Sequence, residues 1–173
     1  MRVSAFRKAV TVDRSNLLER FIELLRNHKI PFCLIGGQGV NAYVEPVVSL
    51  DVDIVVAAER VPDVEALSRE IFKVERFAHS LNVAAADSNV RIQVQLDPRY
   101  HEFIGHSTTR RVLDLDVPVA AIDDILRGKI WAVQDETRRG SKRQKDLADI
   151  ARILEAYPHL RELVPPDVLA RLV

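Results

Sequence analysis

The sequence has few features that would tie it to redox, membrane or polyanion chemistry. Its 173 residues include a single cysteine, Cys33, in the apolar run PFCLI, where a small buried hydrophobe is expected rather than a reactive thiol. Lysine plus arginine and aspartate plus glutamate are equal at 25 each, so no field of one sign marks a binder of nucleic acid or membranes. Any recognition by charge must therefore be local.

Long apolar segments are missing as well. Nowhere do eighteen apolar residues run together, and the N-terminal MRVSAFRKAV lacks an apolar segment of signal-peptide length. We therefore expect a cytoplasmic protein with no membrane partner. The chain is 47% hydrophobic, and at its length a single core can bury about two thirds of the unfolded surface.

Hydrophobic periodicity predicts an α+β protein, a mixed sheet flanked by helices with a helical C-terminal part. We expect residues 1–120 to form the α/β core with an N-terminal helix, and residues 121–173 to form a helical segment packed on it as one unit. Helices are predicted over 13–28, with Asp13 or Ser15 as N-cap, and over 38–45, 61–71, 98–106, 122–135, 144–157 and 166–173. Strands are predicted over 31–35, 50–58, 73–77, 81–87 and 90–96; residues 110–120 are expected to be extended, and 136–143 to form a basic loop.

Two aspartates stand out in the second strand, LDVDIVV. Side chains alternate along a strand, so Asp51 and Asp53 must point to the same side. Their apolar neighbours predict a largely buried strand, where unpaired carboxylates are costly. The alternative is an exposed strand face, on which such pairs carry no function. A hard divalent cation, Mg²⁺ or Mn²⁺, would relieve the repulsion.

A glycine pair, Gly36 and Gly37, leaves the first strand ahead of a short helix. Glycines let the backbone turn sharply and approach a ligand, and a helix N-terminus directs free N–H groups at the same place. Most glycine turns have no such role. A strand, a glycine turn, a helix and an Asp-x-Asp strand in this order nevertheless favour a phosphate site facing a metal site.

With these motifs, Ile35-Gly36-Gly37 and Leu50-Asp51-Val52-Asp53-Ile54, the chain resembles the nucleotidyltransferase superfamily with the DNA polymerase β-like fold. Within it, the chain is most similar to bacterial nucleotidyltransferases of the abortive-infection, AbiEii toxin type. A second similarity lies near the C-terminus, in Lys129 of GKIWA and in Lys145-Asp146-Leu147-Ala148-Asp149. Together these features span about residues 30 to 155.

The resemblance implies a role for each of these positions. Gly36 and Gly37, with Gln38, Asn41 and Arg143, would bind a nucleoside triphosphate, and Asp51 and Asp53 would hold Mg²⁺ or Mn²⁺. Lys129 and Lys145 would be catalytic cations that neutralise phosphate, with Asp146 and Asp149 orienting them. The alternative for this last segment is a solvated, salt-bridged helix surface.

The chain departs from the family at the third carboxylate that active members use. On the candidate strand, VRIQVQL, the polar face presents Gln93 and Gln95 instead, and glutamine cannot act as a general base near neutral pH. Asp97 could replace the acid as a third metal ligand, although a residue that caps the turn before Pro98 is the more ordinary interpretation.

Three hypotheses follow. The first is an enzyme that moves a nucleoside monophosphate from a triphosphate to a hydroxyl on RNA, protein or a small molecule. The second is a nucleotide-binding module without turnover, or one half of a toxin–antitoxin pair with a cognate partner. The third is an interaction protein in which the aspartates are incidental. The basic loop, Arg138-Arg139 to Lys142-Arg143 with Lys145, is a local candidate for contact with a nucleic acid such as tRNA, or is simply solvated.

Overall fold

A mixed seven-stranded sheet forms the centre of the protein. The structure is a computed structural model, and it describes residues 16–172. The strands are β1 (Phe32–Ile35), β2 (Asp51–Val56), β3 (Lys73–Arg76), β4 (Ser80–Ala84), β5 (Arg91–Gln95), β6 (Thr108–Val112) and β7 (Leu115–Val119). Their order in the sheet is β3-β4-β5-β2-β1-β7-β6. The β1–β7 and β2–β5 pairs are parallel and the others are antiparallel. The predicted α+β class is confirmed.

Six helices accompany the sheet in the described part of the chain. They are α1 (Leu17–Asn27), α2 (Gly36–Asn41), α3 (Val61–Ile71), α4 (Ile122–Gln134), α5 (Gly140–Ala156) and α6 (Pro166–Leu169). Three 3-10 segments lie at Ala58–Arg60, Pro98–His106 and Pro158–Leu163. The predicted caps Asp13 and Ser15 of the first helix lie outside the described residues.

The hydrophobic core joins the sheet to the C-terminal helices. Leu34 and Ile54 of the sheet are fully buried together with Ile125 of α4 and Ile150 of α5. On the N-terminal side, Phe21 of α1 packs against Phe72 just after α3, with ring centroids 6.3 Å apart. Burial of this kind contributes about 1.5–3 kcal/mol per large apolar side chain. No helix in residues 16–172 is long and apolar enough to cross a membrane.

Several elements differ from the sequence prediction in their bounds or type. The glycine pair forms the first turn of α2 instead of preceding it, and α2 ends at Asn41. Residues 110–120 belong to a hairpin, because Leu113 and Asp114 both take positive φ angles (50° and 66°) and reverse the chain. Residues 98–106 form a 3-10 helix. The basic loop is shorter than predicted, since α5 already begins at Gly140.

A buried carboxylate marks the start of α4. Asp124 is 1% exposed, accepts a hydrogen bond from Arg127 Nη1 at 2.7 Å and faces His106 Nδ1 at 2.8 Å. The hydrogen bond to Asp124, and then its negative charge, raise the pKa of the exposed His106. The His106 ring therefore connects the 3-10 segment to α4 through Nδ1.

This pair makes part of the stability depend on pH. Because the folded pKa of His106 is raised, its contribution is fully present below the unfolded value of about 6.5 and is lost as pH rises through the folded pKa. His106→Gln should therefore lower the free energy of unfolding more at about pH 5.5 than at about pH 9. Urea unfolding of both proteins at each pH measures this, with the exposed His159→Gln as control. An equal loss at both pH values would contradict the assignment.

Candidate active site

The aspartates of β2 lie at the centre of a polar cleft under α4 and α5. Asp53 is paired across the sheet with Ile35 of β1 on one side and with Gln93 of β5 on the other. Asp51 is paired in the same way with Arg91. Both aspartates are only partly exposed, and both point to the face opposite the buried Val52 and Ile54. The prediction that they share one face of a buried strand agrees with this geometry.

Gly36 lies directly against the Asp53 carboxylate. A Cβ atom at Gly36 would come within 2.2 Å of Asp53 Oδ2, and the residue has a φ of +65°. Only glycine combines that conformation with that approach at low cost. Gly37 is different, because a Cβ there would meet Asp149 and Ser49 no closer than 3.9 Å. The first glycine is therefore needed for packing, while the second leaves space in the cleft.

The Asp53 carboxylate has no hydrogen-bonding or ion-pair partner within the described part of the chain. Burial raises its pKa, opposed by the positive charge of Lys129, and Asp51 raises it further. Asp51 Oδ1 is also buried and accepts no hydrogen bond from the described residues. Two half-buried carboxylates that accept no aligned hydrogen bond are costly unless a ligand completes them.

Lys129 of α4 is held between two acids of α5. Its Nζ lies 3.0 Å from Asp146 Oδ1 and 2.8 Å from Asp149 Oδ2. Burial would lower the pKa of Lys129, but Asp149 and then Asp146 more than offset it, and the pKa is raised. The predicted orienting role of the two acids thus falls on Lys129. Lys145 is exposed on α5 and lines the cleft without contacting them.

Arginines complete this buried network. Arg138, just before α5, donates from Nε to Asp146 Oδ2, and it also lines the cleft next to Asp53. Arg152 Nη1 lies 2.8 Å from Asp149 Oδ1, and its Nη2 donates to Asn41 Oδ1 at 3.1 Å. Neither residue was predicted to lie in the site. Arg138 precedes α5 and Arg152 lies on it, and helical periodicity does not reveal which side chains of other elements they pair with.

Two side chains predicted to bind the nucleotide, Gln38 and Asn41, have hydrogen-bond partners within the protein. Gln38, 2% exposed, donates to the carbonyl of Ser49 at 3.1 Å. Asn41 Nδ2 donates to the carbonyl of Val47 at 2.8 Å and its Oδ1 accepts from the Val47 amide. Both hold the loop that leads into β2. They support the position of Asp51 without facing the cleft.

Arg143 is also placed away from the aspartates. Its Nη2 donates to the carbonyls of Asp135, Glu136 and Arg138, and it lines a separate surface depression with Arg171. Of the predicted basic surface, Arg138 turns inward and Lys142 approaches Asp51. The five cations therefore do not form one continuous patch for nucleic acid.

The register of β2 and β5 shows which residue occupies the position expected for a third carboxylate. Gln93 lies beside Asp53 in the parallel β2–β5 pair, and Gln95 Oε1 accepts the amide of Asp97 at 3.0 Å. Asp97 caps the 3-10 segment through the Arg99 amide and pairs with the Arg99 guanidinium at 2.9 Å. The hydrogen bonds to Arg99 lower the pKa of Asp97. Asp97 therefore serves as a cap, and its role as a metal ligand stays a prediction.

No group of three or more His, Cys, Asp or Glu side chains in residues 16–172 is arranged to hold a metal ion. The ligand set that the protein offers is Asp51 with Asp53. Mg²⁺ commonly binds through one or two carboxylates and keeps water and substrate phosphates as its other ligands. Asp51 Oδ1, which is buried and accepts no aligned hydrogen bond from the described residues, and the Asp53 carboxylate fit such a cation.

Similarity to solved structures defines the class of the fold. ANT(2'')-Ia, an antibiotic-resistance factor, is similar with a TM-score of 0.64 and 13% identity, over 90% of this chain and 91% of that one. The lincosamide antibiotic adenylyltransferase LnuA, solved with lincomycin bound, has a TM-score of 0.56 and 13% identity, over 82% and 98%. A nucleotidyltransferase-like protein from Paracoccidioides brasiliensis has a TM-score of 0.52 and 18% identity, over 82% and 77%. The fold is that of the polymerase β-like nucleotidyltransferases.

The family follows from the sequence itself. The model of the AbiEii family, described as nucleotidyl transferase toxins of type IV toxin–antitoxin systems, matches residues 17–173. The chain belongs to this family, which confirms the resemblance drawn from the glycine and aspartate motifs. Among curated protein sequences none is significantly similar to the chain.

Substitution of Gly36 tests the packing of the aspartate. Gly36→Ala should destabilise the protein by about 1–2 kcal/mol from backbone conformation alone, with the clash against Asp53 adding to the loss. Gly105→Ala is the matched control, because nothing lies within 4 Å of a Cβ atom there. Denaturant unfolding measures both. Equal stability of the two variants would contradict the geometry.

Substitution of the two lysines predicted to be catalytic, Lys129 and Lys145, should change the stability of the protein by different amounts. Lys129→Met leaves Asp146 and Asp149 buried with one cation fewer, so a loss of about 3–5 kcal/mol is expected. Lys145→Met removes an exposed side chain and should change the free energy of unfolding by less than about 0.5 kcal/mol. Thermal or urea unfolding of both variants measures the difference. Similar losses would show that Lys129 is not the structural cation.

Proposed function

We propose that the protein is a metal-dependent nucleotidyltransferase, which moves a nucleoside monophosphate from a triphosphate to a hydroxyl acceptor. The observation that carries this proposal is the pair Asp51 and Asp53, two carboxylates on one strand face that lack directional partners yet share a cleft with several cations. Membership in the AbiEii family supports the same reaction class.

Asp51 and Asp53 would hold Mg²⁺ or Mn²⁺. When bound, such an ion polarises phosphoryl oxygens and offsets the charge that develops during transfer. The paired aspartates supply the fixed negative charge that selects a cation at this position, and Gly36 sets the position of Asp53 by direct packing.

The cations of α5 would bind the phosphates. Lys142 and Lys145, three residues apart on one helix face, line the cleft together with Gly37. In the transfer, the acceptor oxygen forms a bond to the α-phosphorus, the bond from that phosphorus to the oxygen bridging the β-phosphate breaks, and pyrophosphate leaves. Lysine side chains at this place would stabilise the leaving pyrophosphate.

The size of the cleft limits which part of the nucleotide it encloses. It consists of two adjoining cavities with volumes of about 100 and 70 Å³. Pockets for small molecules usually have volumes of at least about 300 Å³. They suit a metal ion and phosphate groups. The sugar, the base and the acceptor would lie outside, next to the exposed Val47 and Val48 at the rim.

The acceptor class is proposed more broadly. RNA, a protein or a small molecule can offer the hydroxyl, and ANT(2'')-Ia has been solved with adenylyl-2''-tobramycin, a nucleotidylated small molecule. The hydroxyl proton would leave to a basic group of the acceptor itself, since neither Gln93 nor the Arg99-bound Asp97 can take it. A cognate antitoxin is the proposed protein partner, supported by the toxin–antitoxin family.

A second candidate function is a nucleotide-binding module without turnover. It is favoured by Gln93, which lies beside Asp53 where a third carboxylate would act, and by Arg91, a cation, beside Asp51. This arrangement keeps the phosphate site but reduces the negative charge available for a catalytic metal.

The metal assignment is tested by binding. The double variant Asp51→Asn, Asp53→Asn should lose Mg²⁺-dependent binding of nucleoside triphosphates while its far-UV circular dichroism stays unchanged, because the amides keep the shape and remove the charge. Asp116→Asn, on the exposed β6–β7 hairpin, is the control. Calorimetry measures the affinity, and unchanged binding by the double variant would refute the site.

Turnover is tested on the same proteins. Wild type incubated with each α-labelled triphosphate and total RNA, total protein or small-molecule alcohols should label an acceptor that the double variant leaves unlabelled. Binding without label in any combination would favour the second candidate. In that case Gln93→Glu, which restores a carboxylate beside Asp53, should tighten metal binding and is the variant in which to look for recovered transfer.

A further inference from the structure

Asp51 lies between two cations from different elements. Arg91 Nε is 2.9 Å from Asp51 Oδ1, and Lys142 Nζ is 3.9 Å from Oδ2. The β2–β5 register places the first pair side by side, whereas Lys142 comes from the first turns of α5. Each carboxylate oxygen thus faces one positive charge.

These contacts are close but weakly directional. Oδ1 of Asp51 is buried and accepts no aligned hydrogen bond from the described residues, despite the short distance to Arg91. The Arg91 side chain is 63% exposed, against 22% for Asp51. An ion pair with one partner so exposed is stabilised little, so another charge can displace the guanidinium at low cost.

The same oxygens are the ones that a divalent cation needs. A metal ion at Asp51 and Asp53 would lie within a few ångströms of Arg91 and Lys142, and like charges at that separation repel. A triphosphate brings several negative charges to the same place. Both cations would then gain phosphate oxygens as partners while Asp51 gains the metal.

We infer that Arg91 and Lys142 are triphosphate-binding residues which, in the free protein, are held on Asp51. Binding of the metal–triphosphate complex exchanges the partners: Asp51 turns to the metal and the two cations turn to phosphate oxygens. This inference rests on the proposed function. It adds to it one nucleotide-positioning residue, Arg91, on the strand that lacks the third acid, and an exchange of partners for Lys142.

The exchange couples metal and triphosphate binding. Metal alone must displace the cations without giving them new partners, so it binds weakly. Triphosphate removes that obstacle, and by linkage each ligand strengthens the other by the same factor. A purely structural Arg91, which only fastens β2 to β5, would weaken both ligands together when removed, or neither.

The experiment compares Arg91→Gln with Arg111→Gln. Arg111 is a matched control, because its side chain is 64% exposed and paired with an aspartate, Asp116, at 3.2 Å on the remote hairpin. Two affinities are measured by calorimetry: Mn²⁺ alone, and the Mg²⁺ complex of tripolyphosphate, which has no base and so needs no knowledge of base preference. Arg91→Gln should tighten Mn²⁺ about two- to five-fold and weaken Mg²⁺–tripolyphosphate at least about three-fold, with the control unchanged.

Arg91→Lys and Asp53→Asn complete the experiment. The lysine variant keeps the positive charge at an exposed ion pair and should leave both affinities within about two-fold of wild type. If Arg91→Gln changes both affinities in the same direction, or neither, the exchange is refuted while the metal site stands. If Asp53→Asn leaves Mn²⁺ binding intact, the proposed function fails and the exchange fails with it.

Discussion

The negative charge of Asp53 is the constraint around which the site is built. Its carboxylate is packed against Gly36, and burial works against its ionisation. A charge in that position must be balanced by other charges. The polymerase β-like arrangement meets this need by bringing cations from α4 and α5 over the strand that carries the aspartates.

The balance extends into a network that connects the helices. Lys129 joins α4 to two acids of α5, and Arg152 continues from Asp149 to Asn41 of α2. A buried network of this kind contributes less to stability than to geometry, because desolvation of the charges offsets most of their attraction. Here the network fixes the position of α5 relative to α2, and this places Lys142 near Asp51.

Sequence patterns anticipated the strands and the aspartate face well. Alternation along β2 placed Asp51 and Asp53 together, and the apolar stripes located α1, α4 and α5 to within a few residues. They did not predict the hydrogen-bond and ion-pair partners of individual polar side chains, because those partners are distant in the sequence. Arg143 carried the same charge as Arg138, yet one binds loop carbonyls and the other reaches Asp146. Gln38 and Asn41 resembled ligand residues but hold a loop.

The sequence by itself determined the fold family, the glycine and aspartate motifs and the loss of an acid on β5, because these depend on residue type, order and a period of two. Tertiary structure alone decided which cation faces which carboxylate. The parallel register of β2 and β5 sets Arg91 beside Asp51 and Gln93 beside Asp53, and no sequence separation encodes that alignment. A sequence pattern does not distinguish between lysine and arginine side chains of equal charge. Packing in the folded protein gives each of them its own set of partners.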